Sequence, residues 1–161
     1  MEPRDIGAEV AKINDDGNDL MAAGKIEAAA AKFREALALD PSHALSWYNL
    51  GVTQHEFGDK KAALVSYREA VKHDPTLVNA WSNIGWVMLE SGALDDADPM
   101  FDRAIEVDPD YAKSYVGKGH GCLFRGDLEK ARGYYAMALE RDPTSRVARL
   151  SLEELLRLEG E

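Results

Sequence analysis

Apolar, small and polar residues recur along this chain with a period of 34 residues. The clearest marker is an Asp-Pro pair, which begins at positions 40, 74, 108 and 142. Each period contains two runs of helical spacing with a glycine between them, and proline ends the second run because it pushes the preceding residue out of the helical region. A fixed period of this length is typical of an array of one supersecondary unit, so the pattern predicts four pairs of helices.

The recurring positions have side chains suited to close helix packing. With the repeats taken as 10–43, 44–77, 78–111 and 112–145, the eighth position is always glycine, at Gly17, Gly51, Gly85 and Gly119. The twentieth position is always alanine, and the twenty-fourth is aromatic, at Phe33, Tyr67, Phe101 and Tyr135. Small residues let two helices approach closely, and the rings fill the space between them. Glycine at the fifteenth position stands where a helix ends in a left-handed cap.

The chain is therefore expected to be all helical. First helices are predicted at 8–23, 44–57, 78–91 and 112–125, second helices at 26–39, 60–73, 94–107 and 128–141, and a terminal helix at 146–159. Residues 1–9 are predicted to be a short N-terminal lead-in, and residues 146–161 to shield the last repeat. Without a flexible linker, the repeats are expected to form one domain. Pro99 lies five residues into a second helix, so we expect that helix to start late or to bend slightly.

The recurring residues resemble the tetratricopeptide repeat family over nearly the whole chain. The match is clearest in the second repeat, where the family pattern is met by Trp47, Leu50, Gly51, Gly58, Ala63, Tyr67, Ala70 and Pro75. The first repeat departs most, with Asp16 where the family has leucine. The resemblance implies an all-α, right-handed superhelix of antiparallel helix pairs, with four repeats and a C-terminal capping helix. It also implies a non-enzymatic protein-binding role, because stacked repeats present an extended concave surface.

The formal net charge of −10 narrows the classes of partner. Nucleic acids and anionic membrane surfaces are disfavoured, because binding to them depends largely on cationic contacts. A protein or peptide partner with apolar residues fits this charge better, and whether the partner also carries basic residues is left open. The sequence has no apolar run of about eighteen residues and no amino-terminal signal, so a soluble, cytoplasmic protein is expected. The single Cys122 excludes an internal disulfide and is predicted to be a buried thiol.

Candidate catalytic and metal-binding motifs each lack essential residues. The four histidines share no helical zinc spacing, and Asn14–Asn18 lacks the first and last ligands of a calcium loop. Gly117–Gly121 lacks the spacing and the hydroxyl of a phosphate loop. The acidic residues at 95–98 stand where they offset a helix dipole. We therefore predict no enzyme activity, no metal and no cofactor.

In the tetratricopeptide repeat family, partners lie in a concave groove lined by the first helices. The resemblance places there the candidate peptide-binding residues Asn18, Tyr48, Asn49, Val52, Asn79, Asn83, Trp86, Leu89, Lys113, Gly117, His120 and Phe124. Asn49 and Asn83 are expected at the same height in adjacent repeats, where their amides can hold the backbone of an extended peptide. Trp86 is expected to form an exposed apolar anchor with Leu89, Leu123 and Phe124. The alternative is that these side chains are buried between helices.

Two glycines in the first helix of the fourth repeat are not required by the family pattern. Gly117 and Gly121 each cost about 1 kcal/mol relative to alanine inside a helix, so 112–125 is predicted to be the least stable helix. Gly117 also occupies a groove position. Its missing side chain either leaves a pocket for a bulky residue of the partner or has no function.

Other roles are weighed against a peptide-binding adaptor. Chaperone-binding members of the family hold a peptide's terminal carboxylate with five polar residues, and this chain matches two of them in either of two alignments, so that role is not expected. Self-association through Val147, Leu150 and Leu158 of the terminal helix remains open, because capping does not require so much apolar surface. Regulation of an enzyme on another chain also remains open.

Overall fold

The computed structural model describes residues 5–160, and within this range the chain is all helical. The helices are α1 (Ile6–Ala22), α2 (Ile26–Leu39), α3 (Ala44–Glu56), α4 (Lys60–His73), α5 (Val78–Glu90), α6 (Leu94–Val107), α7 (Ala112–Phe124), α8 (Leu128–Arg141) and α9 (Arg146–Glu159). The predicted fold class is confirmed. The second helices and the terminal helix have the predicted bounds, and each first helix ends one residue earlier than predicted.

The amino-terminal helix is longer than the sequence suggested. Residues 6–9, predicted to be part of a lead-in, belong to α1, because Asp5 caps this helix by accepting a hydrogen bond from the backbone of Ala8 at 3.0 Å. Residues 1–4 of the predicted lead-in lie outside the described residues.

The predicted glycine follows two residues after the last residue of each first helix. Gly24, Gly58, Gly92 and Gly126 have φ between +72° and +80°, the left-handed region that other residues enter only at a cost. After Gly58, the backbone N–H of Asp59 reaches back to the carbonyl of Gln54 at 2.9 Å, and the Asp59 carboxylate caps α4 through the N–H of Ala62 at 3.0 Å. One short segment therefore stops one helix and starts the next.

The aspartate of the Asp-Pro pair has a structural role. The Asp74 carboxylate accepts hydrogen bonds from the backbone N–H of Thr76 at 2.9 Å and from its hydroxyl at 2.6 Å. Asp40 and Ser42 make the same pair of bonds, as do Asp142 and Thr144. These bonds lower the pKa of the Asp40 and Asp74 carboxyls. The most regular motif of the sequence therefore closes a turn.

The chain divides into two compact units, the first ending at Thr76 and the second beginning at Leu77. In both units a buried ring from a second helix lies directly against a glycine of the preceding first helix. A Cβ atom on Gly51 would lie 2.6 Å from the Tyr67 ring, and one on Gly119 would lie 2.3 Å from the Tyr135 ring. The predicted close approach of paired helices is confirmed, and a larger residue at these glycines would displace a core ring.

Pro99 does not delay its helix. α6 begins at Leu94, so Pro99 lies inside the helix and the expected late start is wrong. Proline has no N–H to donate to the carbonyl of Asp95, four residues earlier. Nearby, the Arg125 side chain donates to the carbonyl of Leu94 at 2.9 Å and to the Asp95 carboxylate at 3.1 Å. These bonds bring the end of α7 to the first turn of α6 and supply polar contacts where the proline weakens the helical ladder.

The terminal helix α9 covers the end of the second unit. Ala148 and Leu155 are completely buried and belong to the same core cluster as Tyr115, Tyr135 and other residues of α7 and α8. Val147, Leu150 and Leu158 on one flank of α9 and Leu156 on the other flank are all about half exposed, whereas the side facing away from the core carries the exposed Arg149, Glu153 and Arg157.

Candidate functional site

The first unit places Asn49 in a hydrogen-bond network of its own. The Nδ2 atom of Asn49 donates to Asn14 Oδ1 at 3.1 Å and to Asn18 Oδ1 at 2.9 Å. The buried Asn14 also accepts from the Ser46 hydroxyl at 3.1 Å. An amide nitrogen carries two hydrogens, so both donors of Asn49 are used within the unit. Asn49 therefore has only its carbonyl oxygen to offer a peptide, and a full donor–acceptor role for it does not fit this geometry.

The other candidates of the first unit surround this network. Asn18 is exposed, whereas Tyr48 and Val52 are half-buried. The Tyr48 ring lies 5.9 Å from the buried Tyr67 ring, measured between centroids, and is tilted by 39°. Contact with a core ring fixes the position of Tyr48 and leaves part of its surface accessible.

In the second unit, Lys113 of α7 contacts Asn83 of α5. The Lys113 ammonium donates to Asn83 Oδ1 at 2.9 Å, and no carboxylate partner for Lys113 occurs among the side chains that the structure describes. Desolvation by neighbouring atoms lowers the pKa of Lys113, although the residue as a whole remains exposed. Asn79, one turn before Asn83, is exposed as well. This part of the surface presents an ammonium group held by a neutral amide.

His120 is at the centre of a ring cluster formed by α5, α7 and α8. Its ring centroid lies 5.2 Å from that of Trp86, 5.6 Å from that of Tyr135 and 6.4 Å from that of Phe124, each in an edge-to-face arrangement. Trp86 in turn meets Phe101 edge-on at 5.8 Å. Phe124 is 63% exposed, whereas Trp86 is half-buried. The cluster therefore presents Phe124 to solvent and is anchored by core rings beneath it.

The predicted apolar anchor is smaller than expected. Leu89 is only 5% exposed and Leu123 is half-buried, so the alternative of burial between helices holds for Leu89. The Trp86 indole nitrogen is also buried, and it has no hydrogen-bond partner in the described part of the chain. Of this predicted group, Phe124 is the most exposed side chain.

The pocket predicted at Gly117 is filled by the protein itself. A Cβ atom on Gly117 would lie 2.3 Å from Cζ of Phe101, so the missing side chain makes room for a ring of α6. Phe101 is completely buried. The pocket hypothesis is therefore wrong, and Gly117 is needed for packing.

His120 also connects α7 with the terminal helix. Its Nε2 atom lies 3.0 Å from the Ser151 hydroxyl of α9. Burial lowers the pKa of His120, and the nearby Glu154 carboxylate partly opposes this effect. The sequence did contain a signal for these contacts. Ser151 and Glu154 stand 34 residues after the groove positions Gly117 and His120, because the repeat register continues into α9.

Cys122 lines a polar cleft of about 480 Å³ bounded by α6, α7 and α8. The thiol is half-buried, not fully buried as predicted, and burial raises its pKa. The cations around it are paired: Arg125 with Asp95 and Asp98 at 3.1 and 3.0 Å, Lys130 with Asp127 at 2.7 Å, and Lys118 with Asp102. The cleft therefore offers no unpaired cation among its described lining residues.

Residues 5–160 contain neither a cluster of potential metal ligands nor a membrane-spanning helix. In this range no group of three or more histidine, cysteine or acidic side chains is arranged to hold a metal ion. Nor does any helix of the described chain combine the length and apolar character needed to cross a membrane.

Comparisons with known proteins agree with the helix pairs. A family model described as tetratricopeptide repeat matches residues 14–78 and 80–146. The solved structure of PilF from Pseudomonas aeruginosa is 22% identical, with a TM-score of 0.87 over 97% of this chain and 71% of that chain. TTC0263, a thermophilic TPR protein of Thermus thermophilus, is 24% identical, with a TM-score of 0.80 over 94% of this chain and 83% of that chain.

A structure of MamA is 23% identical, with a TM-score of 0.77 over 83% of this chain and 78% of that chain. No curated protein matches the sequence. Similarity at these identities establishes the fold, whereas the family model covers most of the chain in two blocks. The chain therefore belongs to the tetratricopeptide repeat family.

Proposed function

We propose that this protein is a non-enzymatic adaptor that holds a peptide segment of a partner protein against the groove positions of its first helices. Repeats of this family are in general protein-interaction scaffolds. The observation that carries the proposal is Phe124, which is 63% exposed at the edge of a ring cluster with a buried base. An exposed aromatic ring on a rigid support is typical of a binding hot spot.

The neighbouring polar groups support the same surface. The Lys113 ammonium on α7 lies next to the Asn83 amide on α5. Such groups fix the orientation of a bound segment, while apolar contact provides most of its affinity. The expected cytoplasmic location belongs to this proposal as a prediction.

Site-specific photo-cross-linking tests this proposal. A photoreactive phenylalanine analogue replaces Phe124 in one variant and Met137 in a matched control, because Met137 is a 42% exposed apolar residue of the second helix α8. Both variants are irradiated in a lysate of the cells that produce the protein, after circular dichroism has shown equal helicity. We expect a discrete cross-linked partner from position 124 and not from position 137. Equal products from both positions, or a product from position 137 alone, would contradict the proposal.

A second function, self-association through the terminal helix, has one observation in its favour. Val147, Leu150 and Leu158 are 57%, 50% and 52% exposed, which is more apolar surface than a solvated cap needs. Sedimentation equilibrium over a hundredfold range of concentration, about 1 to 100 μM, distinguishes the two functions. A monomer throughout this range contradicts self-association.

A further inference from the structure

One flank of α9 carries an apolar stripe. Val147, Leu150 and Leu158 are each about half exposed, whereas Ala148 and Leu155 on the inner side are completely buried. The outermost side of α9 carries the exposed Arg149, Glu153 and Arg157, which is the polar outer face that a cap needs. Capping does not account for the apolar flank beside that face.

Contacts with His120 show the direction in which this stripe faces. Ser151 lies within hydrogen-bond distance of His120, and the charge of Glu154 acts on the same imidazole. Residues three and four apart are neighbours on a helix surface, so Val147 adjoins Ser151, and both Leu150 and Leu158 adjoin Glu154. The stripe therefore lies on the side of α9 that meets His120. The exposed Phe124 lies one turn after His120 on α7.

The repeat register leads to the same result independently. Counting 34 residues from Lys113, Val116, His120 and Phe124 gives Val147, Leu150, Glu154 and Leu158. Lys113, His120 and Phe124 are candidate groove residues of α7, whereas Val116 is buried. The stripe of α9 therefore stands in the register of a fifth groove-lining helix.

We propose that this apolar stripe and the adjacent Glu154 form a specificity-determining part of the groove. Together, Val147, Leu150, Glu154 and Leu158 bind a basic amphipathic helix of another protein. The inference rests on the proposed function, since it extends the surface at Phe124. The apolar residues of that helix would pack on Val147, Leu150, Leu158 and Phe124, and a lysine or arginine would pair with Glu154.

The length of the stripe and the charge of Glu154 indicate a basic amphipathic helix as the partner. From Val147 to Leu158 the helix rises about 16 Å, or three turns, a length that a partner helix matches with apolar residues three and four apart. Glu154 acts on His120 through its charge but forms no ion pair with a described lysine or arginine, so it can accept a charge-assisted hydrogen bond from a basic residue of the partner. A second copy of this chain is disfavoured, because each copy brings a net charge of −10 to the contact.

The test uses fluorescein-labelled 18-residue model peptides of leucine and lysine, with leucines on one helical face. A leucine–glutamate peptide of the same pattern and a scrambled leucine–lysine peptide are the comparisons. Fluorescence anisotropy with the full chain at physiological salt measures binding. We expect the patterned basic peptide to bind roughly tenfold more tightly than either comparison peptide. Equal binding of the patterned and scrambled basic peptides, or better binding of the acidic one, would overturn the assignment.

Substitutions on α9 locate the contact. Val147→Ser with Leu150→Ser is expected to weaken binding about tenfold, and Glu154→Gln severalfold. Leu156→Ser is the matched control, because Leu156 is 51% exposed on the same helix but nearly opposite Val147 around its axis. An equal loss in the control, or no loss in the double variant, would overturn the inference. A chain that dimerises through Val147 and Leu150 and binds no peptide would overturn it too.

The two proposals can fail separately. If Phe124→Ser weakens peptide binding and the α9 variants do not, the groove function stands and the role of α9 is wrong. If neither set of substitutions changes binding, both proposals are wrong.

Discussion

The ring of Phe101 occupies the space that the missing side chain of Gly117 leaves open. The Cβ atom of a larger residue at position 117 would lie 2.3 Å from Cζ of this ring. The ring cannot simply withdraw, because a Cβ atom on Gly85 of α5 would lie 2.7 Å from Cε1 of the same ring. One buried aromatic residue of α6 thus requires glycine on two different first helices.

Gly117→Ala is expected to destabilise the protein although alanine favours helices. The propensity gain of about 1 kcal/mol is outweighed by overpacking of a buried ring, which typically costs about 1–3 kcal/mol. Urea unfolding followed by circular dichroism measures the free energy of unfolding. A variant as stable as the parent would show that the Phe101 ring has room to move.

Gly133→Ala is expected to have the opposite effect. Gly133 lies within α8, and a Cβ atom there would have no neighbour within 4 Å. The substitution should therefore raise the free energy of unfolding by about 1 kcal/mol. The same urea titration provides the measurement, and an unchanged or lower midpoint would contradict the prediction.

Asn14→Ala is expected to lower the free energy of unfolding by about 1 kcal/mol, because it removes the buried acceptor that the Ser46 hydroxyl and the Asn49 amide share. It also frees one hydrogen of the Asn49 amide. Asn79→Ala, at an exposed asparagine, is the control and should change stability by less than about 0.5 kcal/mol. Equal effects of the two substitutions would contradict the proposed network.

Acidification is expected to weaken the second unit through His120. Burial against Trp86, Tyr135 and Phe124 lowers the pKa of the folded imidazole below its ordinary value of 6.5, despite the nearby Glu154. Between the folded and the ordinary pKa, the unfolded chain binds more protons, so stability falls as the pH drops below about 6.5. The folded pKa can be measured from the His120 ring signals by NMR titration.

His120→Gln provides the comparison for this pH dependence. The difference in free energy of unfolding between parent and variant should be largest above pH 6.5 and should shrink on acidification. A difference that grows as the pH falls would show that His120 gains a proton on folding, contrary to its burial.

The repeat pattern was sufficient to predict the helices, with their ends correct to within one or two residues. Gly58 and Gly126 stop their helices through local backbone geometry, and the second helices have the predicted bounds. Site details were less predictable. The Gly117 pocket was wrong because a ring from another helix fills it, and the donors of Asn49 are used by two other asparagines. Such outcomes depend on side chains that are distant in sequence.

The sequence by itself determined the array of helix pairs, because glycine, alanine, aromatic and proline residues act locally and recur at one period. Only the tertiary structure decided which groove positions remain accessible. Leu89 and Phe124 are both apolar residues at predicted groove positions, yet one is buried and the other is 63% exposed. Exposure is a property of the packed neighbours, and a sequence pattern specifies which face a residue occupies without specifying what covers it.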